Sequence, residues 1–360
     1  MPLDSTYSLD GPRLVGARRR GPRLAAATLG LVAALALARL RSGIEGGPLC
    51  VGDDAALLVA SDDVGWTFAP GLTAQVRSCT GGFATPLRIN AEGQADQPWP
   101  ATPRADEVRV LVLGNETADG LMVAREDRLS TRIALLADRT LGRRVAGINA
   151  TLPGYATAQQ RRWLEARGPR FTPALVVVLV DPEADLAATV SPPRARPAPA
   201  DGEDLLPPAS GLVDLAGHGP LRDDDTAARS TAVRIERPAP LVSPAERKPA
   251  RAQLAREITS LARAAAAQDA RLAILIAPPC PLAETAPDDD LCAALAGIAP
   301  CADLTPAFAE HAAAVATTEL CVPGTRRWGR DAHFLASHAV WDLLDARGLW
   351  PAGVVRGHRL

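Results

Sequence analysis

"RVLVLGNETADG", residues 109–120, runs from an unbroken apolar stretch through Gly114 into a polar turn and ends at a second glycine, Gly120. Continuous apolar runs bounded by turn residues mark strands that are buried on both faces. Three further runs have the same form: RVAGIN at 144–149, ALVVVLV at 174–180 and RLAILIAPP at 271–279, with a weaker one near 297–303. Each is followed by a helix-compatible stretch. Strands alternating with helices in this way predict a parallel sheet with helices packed on both sides.

Working outward, residues 51–106 are rich in Gly, Thr and Pro with short apolar bursts, which predicts a small β-rich lead-in. The main α/β domain is expected over 107–350. It is interrupted at 187–250, which holds 11 of the chain's 32 prolines. Proline at that density opposes helix and central strand alike, so a largely irregular surface insertion is expected there. The fold class expected is therefore α/β: a doubly wound, flavodoxin-like parallel sheet with helices on both faces, preceded by the β-rich segment.

Residues 24–41 begin with the uncharged run LAAATLGLVAALALA (24–38), and the preceding residues 1–23 carry Arg13, Arg18, Arg19, Arg20 and Arg23. Only Arg39 and Arg41 follow closely, an asymmetry that predicts a cytoplasmic N-terminus and an exported remainder. As a helix the run reaches roughly 22 Å against a hydrocarbon core of ~30 Å, so it reads as a signal peptide or a signal anchor. The rest of the chain is then secreted, or extracytoplasmic (periplasmic) and in contact with the membrane through 24–41. Export makes disulfides plausible among the six cysteines, with Cys50–Cys79 and two bridges within Cys280, Cys292, Cys301 and Cys321 as the preferred pairing. No pair has Cys-x-x-Cys spacing and no histidine lies at ligand spacing from carboxylates, so no metal is expected. A formal charge of −2 gives no electrostatic case for nucleic acid. The Gly114–Gly120 turn lacks both the Lys-Ser/Thr ending of a P-loop and the spacing of a dinucleotide loop, so no cofactor is expected.

Chemistry in an open parallel sheet belongs beyond the carboxyl ends of its strands. That places attention on Gly114-Asn115-Glu116, on Asn149–Tyr155 (NATLPGY), on Asp181–Asp185 (DPEAD) and on the C-terminal GRDAHFLASH. In order and spacing these blocks, spanning about 63–350, resemble those of the SGNH or GDSL hydrolase superfamily. The resemblance puts Asn115 at the family's aspartate and Glu116 at its serine nucleophile. It puts Thr151 at the glycine of the second block, within a frame kept by Asn149 and Gly154. Ala184 falls where an asparagine precedes Asp185, and Asp331 and His333 match the catalytic Asp and His. Thr151 and Ala184 are thus the oxyanion-hole positions, and Gly114, Asn115, Asn149, Gly154 and Asp185 line the cleft.

Serine attack needs a hydroxyl, a histidine to take its proton and pre-aimed donors for the oxyanion. A carboxylate at position 116 supplies none of these and repels the charge the reaction must develop. The resemblance therefore implies a weak or non-catalytic binder of a carbohydrate, acyl or protein ligand. The alternative is an active esterase, deacetylase or acyltransferase that uses Glu116 and His333 in a non-standard mechanism. Other uses of Glu116 are a glycosidase-like pair with Asp331 and a general base acting on water. The preferred expectation is that Glu116 caps its helix and pairs with a protonated His333. Thr117, His338, His311, His218 and His358 are weaker candidates, and Trp66, Trp99, Trp163 and Trp328 read as packing residues.

Overall fold

The computed structural model describes residues 57–77, 84–197, 233–236, 242–280, 282, 291–315, 319–323 and 325–350. The expected segment 24–41, the pair Cys50 and Cys79, His218 and His358 lie outside the described residues. Among those described, no helix is long and apolar enough to cross a membrane.

The lead-in is β-rich as expected. It comprises two antiparallel hairpins, β1 (Leu58–Ser61) with β2 (Gly65–Phe68) and β3 (Thr73–Arg77) with β4 (Ala84–Arg88). The opening stretch of the sequence then forms β5 (Val108–Gly114), buried at every position. In chain order there follow α1 (Leu129–Leu141), β6 (Val145–Thr151), α2 (Thr157–Arg167), β7 (Leu175–Val180) and α3 (Pro182–Val190). A hairpin of β8 (Arg194–Pro197) and β9 (Val233–Glu236) precedes α4 (Pro244–Ala266) and β10 (Arg271–Ile276). The chain closes with α5 (Leu291–Leu295), β11 (Cys301–Asp303), α6 (Thr305–Ala314) and α7 (Arg330–Ala346).

Five strands form one parallel sheet in the order β11-β10-β7-β5-β6. This is the flavodoxin-like order expected of a doubly wound sheet. Successive side chains on a strand point to opposite faces, and the two cores divide accordingly. Leu111, Leu113, Val176 and Val178 pack with Trp163 of α2 and Leu254, Ile258 and Leu261 of α4. Val110, Val112, Val177 and Leu179 pack with Ile133 of α1, Phe308 of α6 and Ala336 and Val340 of α7. The weak run near 297–303 is the short edge strand β11.

Of the expected insertion, the described residues include its two ends, and both are helical. Helix α3 runs into its start, and α4 begins inside it with Pro244 in the first turn, where a missing N–H costs nothing. The same helix continues through Pro249, at the expense of one main-chain hydrogen bond. Its long amphipathic face on the sheet outweighs that loss.

Helix α1 lies close against β6 at Gly147. A Cβ on that residue would fall 1.8 Å from the Ser130 carbonyl oxygen, an atom of the helix backbone that cannot rotate away. Gly147→Ala is expected to lower the unfolding free energy by about 3 kcal/mol, the upper part of the range for overpacking. Urea denaturation checks this, and a loss below about 0.5 kcal/mol contradicts the close approach.

The described cysteines form two disulfides, Cys280–Cys321 and Cys292–Cys301, within the C-terminal four as expected. Such cross-links point to an oxidising, extracytoplasmic environment.

Candidate functional site

The switch point of the sheet lies between β5 and β7, whose following chains leave toward opposite faces. Beyond it meet the β5 turn, the β6–α2 loop, the start of α3 and the segment preceding α7.

Residues Glu116–Ala118 form one turn of 3-10 helix, and its cap is Asn115, whose Oδ1 accepts the Thr117 N–H at 2.9 Å. With that place filled, Glu116 does not cap the turn as expected. Its carboxylate reaches the β6–α2 loop, where Oε2 accepts the Gly154 N–H at 2.8 Å. Gly154 has φ +73°, a conformation in which an L side chain is strained, so this loop N–H depends on glycine. Glu116, Asn115, Gly154, Ala184, Pro193 and Arg326 border a cleft that encloses only about 30 Å³. That is the space of roughly one water molecule.

Asp181 follows β7 and caps α3: its Oδ1 accepts the Glu183 and Ala184 N–H groups, each at 3.1 Å. The Ala184 N–H is therefore directed to the cap. Asp181 Oδ2 accepts the Thr117 hydroxyl at 3.2 Å and lies 3.4 Å from Arg326 Nη2. Burial pushes the Asp181 carboxyl upward; Arg326 opposes the rise and the neighbouring Glu116 carboxylate adds to it. Thr117, the substitute hydroxyl considered from sequence, thus faces a carboxylate and no imidazole.

Asp185 lies one turn along α3. It accepts the Thr157 N–H at 2.7 Å, the Thr157 hydroxyl at 2.8 Å and the Asp181 N–H at 2.9 Å. Burial, followed by the charge of Asp181, pushes its carboxyl up to about 7. Asp185 borders a separate cavity of about 110 Å³ between α2, α3 and α4, and does not line the Glu116 cleft. Asn149 and Thr151 are likewise turned inward: the Asn149 amide donates to the Asp119 carbonyl at 3.1 Å, and its Oδ1 accepts the Thr151 hydroxyl at 2.7 Å. Gly114 packs where an added Cβ would meet Thr151 at 3.2 Å and Leu179 at 3.3 Å.

Asp331 and His333 do not form a pair. Helix α7 already begins at Arg330, and residues two apart on a helix point to nearly opposite sides. Asp331 accepts the Glu319 N–H at 2.9 Å and lies 3.4 Å from His311 Nε2. His311 therefore does have a carboxylate neighbour, contrary to expectation. His333 is fully buried, and its Nδ1 accepts the Leu129 N–H at 3.2 Å. The imidazole proton is then on Nε2, which has no hydrogen-bond partner among the described residues. Burial, together with the charges of Arg128 and Arg132, lowers its pKa to about 3, so the ring is neutral. The expected ion pair between Glu116 and a protonated His333 is overturned, because Nδ1 accepts the Leu129 N–H and the core rejects the charge.

Sequence reasoning overlooked Arg326, Arg327 and Asp119. An antiparallel bridge between Cys321 and Trp328 closes the segment before α7. From it Arg326 reaches Asp181, and Arg327 pairs with Asp119 at 3.0 Å, where the carboxylate is wholly buried. Arginine makes up all but one of the chain's 39 basic residues, and in that background two adjacent arginines carry no signal.

No family model and no curated protein matches this chain. Among solved structures it is similar to TesA, at 17% identity and a TM-score of 0.38, over 66% of this chain and 98% of that one. The psychrotrophic esterase EstA from Pseudoalteromonas sp. gives 13% identity and 0.38, over 66% and 97%. A variant of Axe2, an acetyl-xylooligosaccharide esterase from Geobacillus Stearmophilus, gives 12% and 0.40, over 70% and 97%.

Proposed function

We propose that this chain is an exported SGNH-type α/β protein in which ester hydrolysis has been lost. Its cleft is kept for binding a carbohydrate, acyl or protein ligand, and residues 24–41 either hold it at the membrane or serve as a cleaved leader. The observation that carries the reading is the Glu116 carboxylate seated on the Gly154 N–H while the His333 imidazole is buried in the core. A fixed anion where an acyl oxygen would become negative opposes the charge development that the reaction requires. A histidine that neither reaches a hydroxyl nor pairs with Asp331 cannot take its proton. The alternative enzyme, using Glu116 and His333 together, needs these two groups to meet across one substrate. The inward ring and the small cleft both oppose that geometry.

The test is turnover of nitrophenyl acetate and of acetylated xylooligosaccharides by the full chain. Wild type is expected to match the Glu116→Gln variant at the uncatalysed background. Glu116→Ser is also expected to stay there, because the His333 imidazole is buried, holds the Leu129 N–H through Nδ1 and is not paired with Asp331. Wild-type turnover that Glu116→Gln removes overturns the proposal.

A further inference from the structure

Two hydrogen-bond donors converge on the Glu116 cleft. One is the Gly154 N–H, already holding a carboxylate oxygen at 2.8 Å. The other is the Arg326 guanidinium, which borders the same space and keeps 34% of its side chain exposed. A guanidinium has five N–H donors arranged to grip a carboxylate at two points. Among the described residues, Arg326 directs one nitrogen at Asp181, at the long distance of 3.4 Å. No other contact of that guanidinium to a described residue takes up its remaining N–H groups. The space itself suits a small group: about 30 Å³ is open beside Glu116, and withdrawal of that side chain would add its own volume.

We propose that the cleft is a carboxylate-binding site, in which the Glu116 side chain is a tethered placeholder that a ligand's carboxylate displaces to bind the Gly154 N–H and Arg326. The ligand class is thus an acid, such as an acyl acid or a uronic acid, and not a neutral ester or sugar. This inference rests on the reading of the cleft as a binding site and narrows its ligand. The tether gives Glu116 a high effective concentration, so a free acid competes with it poorly and binds wild type weakly. Asp119, Asp181 and Arg327 stand nearby, but Asp119 and Arg327 are paired with one another and Asp181 is occupied by the cap of α3.

The experiment is titration of the full chain with sodium acetate, with acetamide as the neutral isostere, followed through the Gly154 amide resonance. Glu116→Ala is expected to bind acetate at least about tenfold more tightly than wild type, since the intramolecular competitor is gone. Adding Arg326→Gln should abolish that gain, and acetamide should not bind. Glu116→Ser serves as a second cleft-opening variant should Glu116→Ala fail to fold. Equal acetate affinity in wild type and the opened variants overturns the proposal, as does binding of acetamide as tight as that of acetate, or indifference to Arg326→Gln. Ester turnover is measured in parallel: its absence together with absent acetate binding removes this inference alone, whereas Glu116-dependent turnover removes the reading beneath it.

Discussion

Arg327→Ala is expected to destabilise the protein by about 3–5 kcal/mol, the cost of leaving one member of a buried ion pair without the other. Its partner Asp119 has no exposed surface, and the two approach to 3.0 Å. Asp119 also accepts the Leu121 N–H at 3.0 Å, which keeps its carboxylate fixed in the β5 turn and unable to rotate toward water. The charge of Arg128 also faces Asp119 and tempers the loss. The double variant Arg327→Met with Asp119→Asn should recover part of the stability, since neither buried charge remains. Urea unfolding at neutral pH measures both, and a loss for Arg327→Ala below about 1 kcal/mol would mean that the pair is no more than a surface contact.

The second large effect concerns pH. His333 has its pKa lowered from 6.5 to about 3, so the unfolded chain takes up a proton that the folded one refuses. Its contribution to stability is present above pH 6.5 and lost as pH falls from there toward 3. Asp185 is displaced the other way, from 3.8 to about 7. The folded chain keeps a proton that the unfolded one releases, so this contribution is present below pH 3.8 and lost as pH rises toward 7. Asp181, raised by the same burial, acts in the same direction as Asp185. Between about pH 4.5 and 6 each fully shifted group contributes a slope of about 1.4 kcal/mol per pH unit, and the signs are opposite. Relative to wild type, the stability of His333→Gln should therefore fall with rising pH, and that of Asp185→Asn should rise. The slope is the readout, independent of what each substitution costs by itself. Unfolding free energies at half-unit intervals decide it, and parallel curves for either variant and wild type would show that its group titrates alike in both states.

Several features of the site were legible because they depend on local chemistry. The Gly114 turn after a buried strand expresses a preference that the residue carries wherever it is placed, whereas the left-handed Gly154 and the Asp181 cap were legible only as block positions. The carboxylate at position 116 could likewise be identified as incompatible with serine attack before any geometry was known. The Asp331–His333 relation was misread for a helical reason: a loop can turn both side chains to one side, whereas a helix starting at Arg330 separates them. The expected boundary at residue 250 falls inside α4, which starts at Pro244, because the amphipathic length of that helix outweighs its local proline content.

The sequence by itself determined the doubly wound sheet, the β-rich lead-in and the segments that surround its switch point, since apolar periodicity and turn residues act through neighbours along the chain. Only the tertiary structure decided that Glu116 lies on the Gly154 N–H, that His333 is sealed in the core, and that Arg326 reaches the cleft and Arg327 the buried Asp119 from more than 200 positions downstream of the β5 turn. Hydrogen bonds and ion pairs are set by distance in space, and burial determines which charges survive; neither quantity is written in the order of the residues.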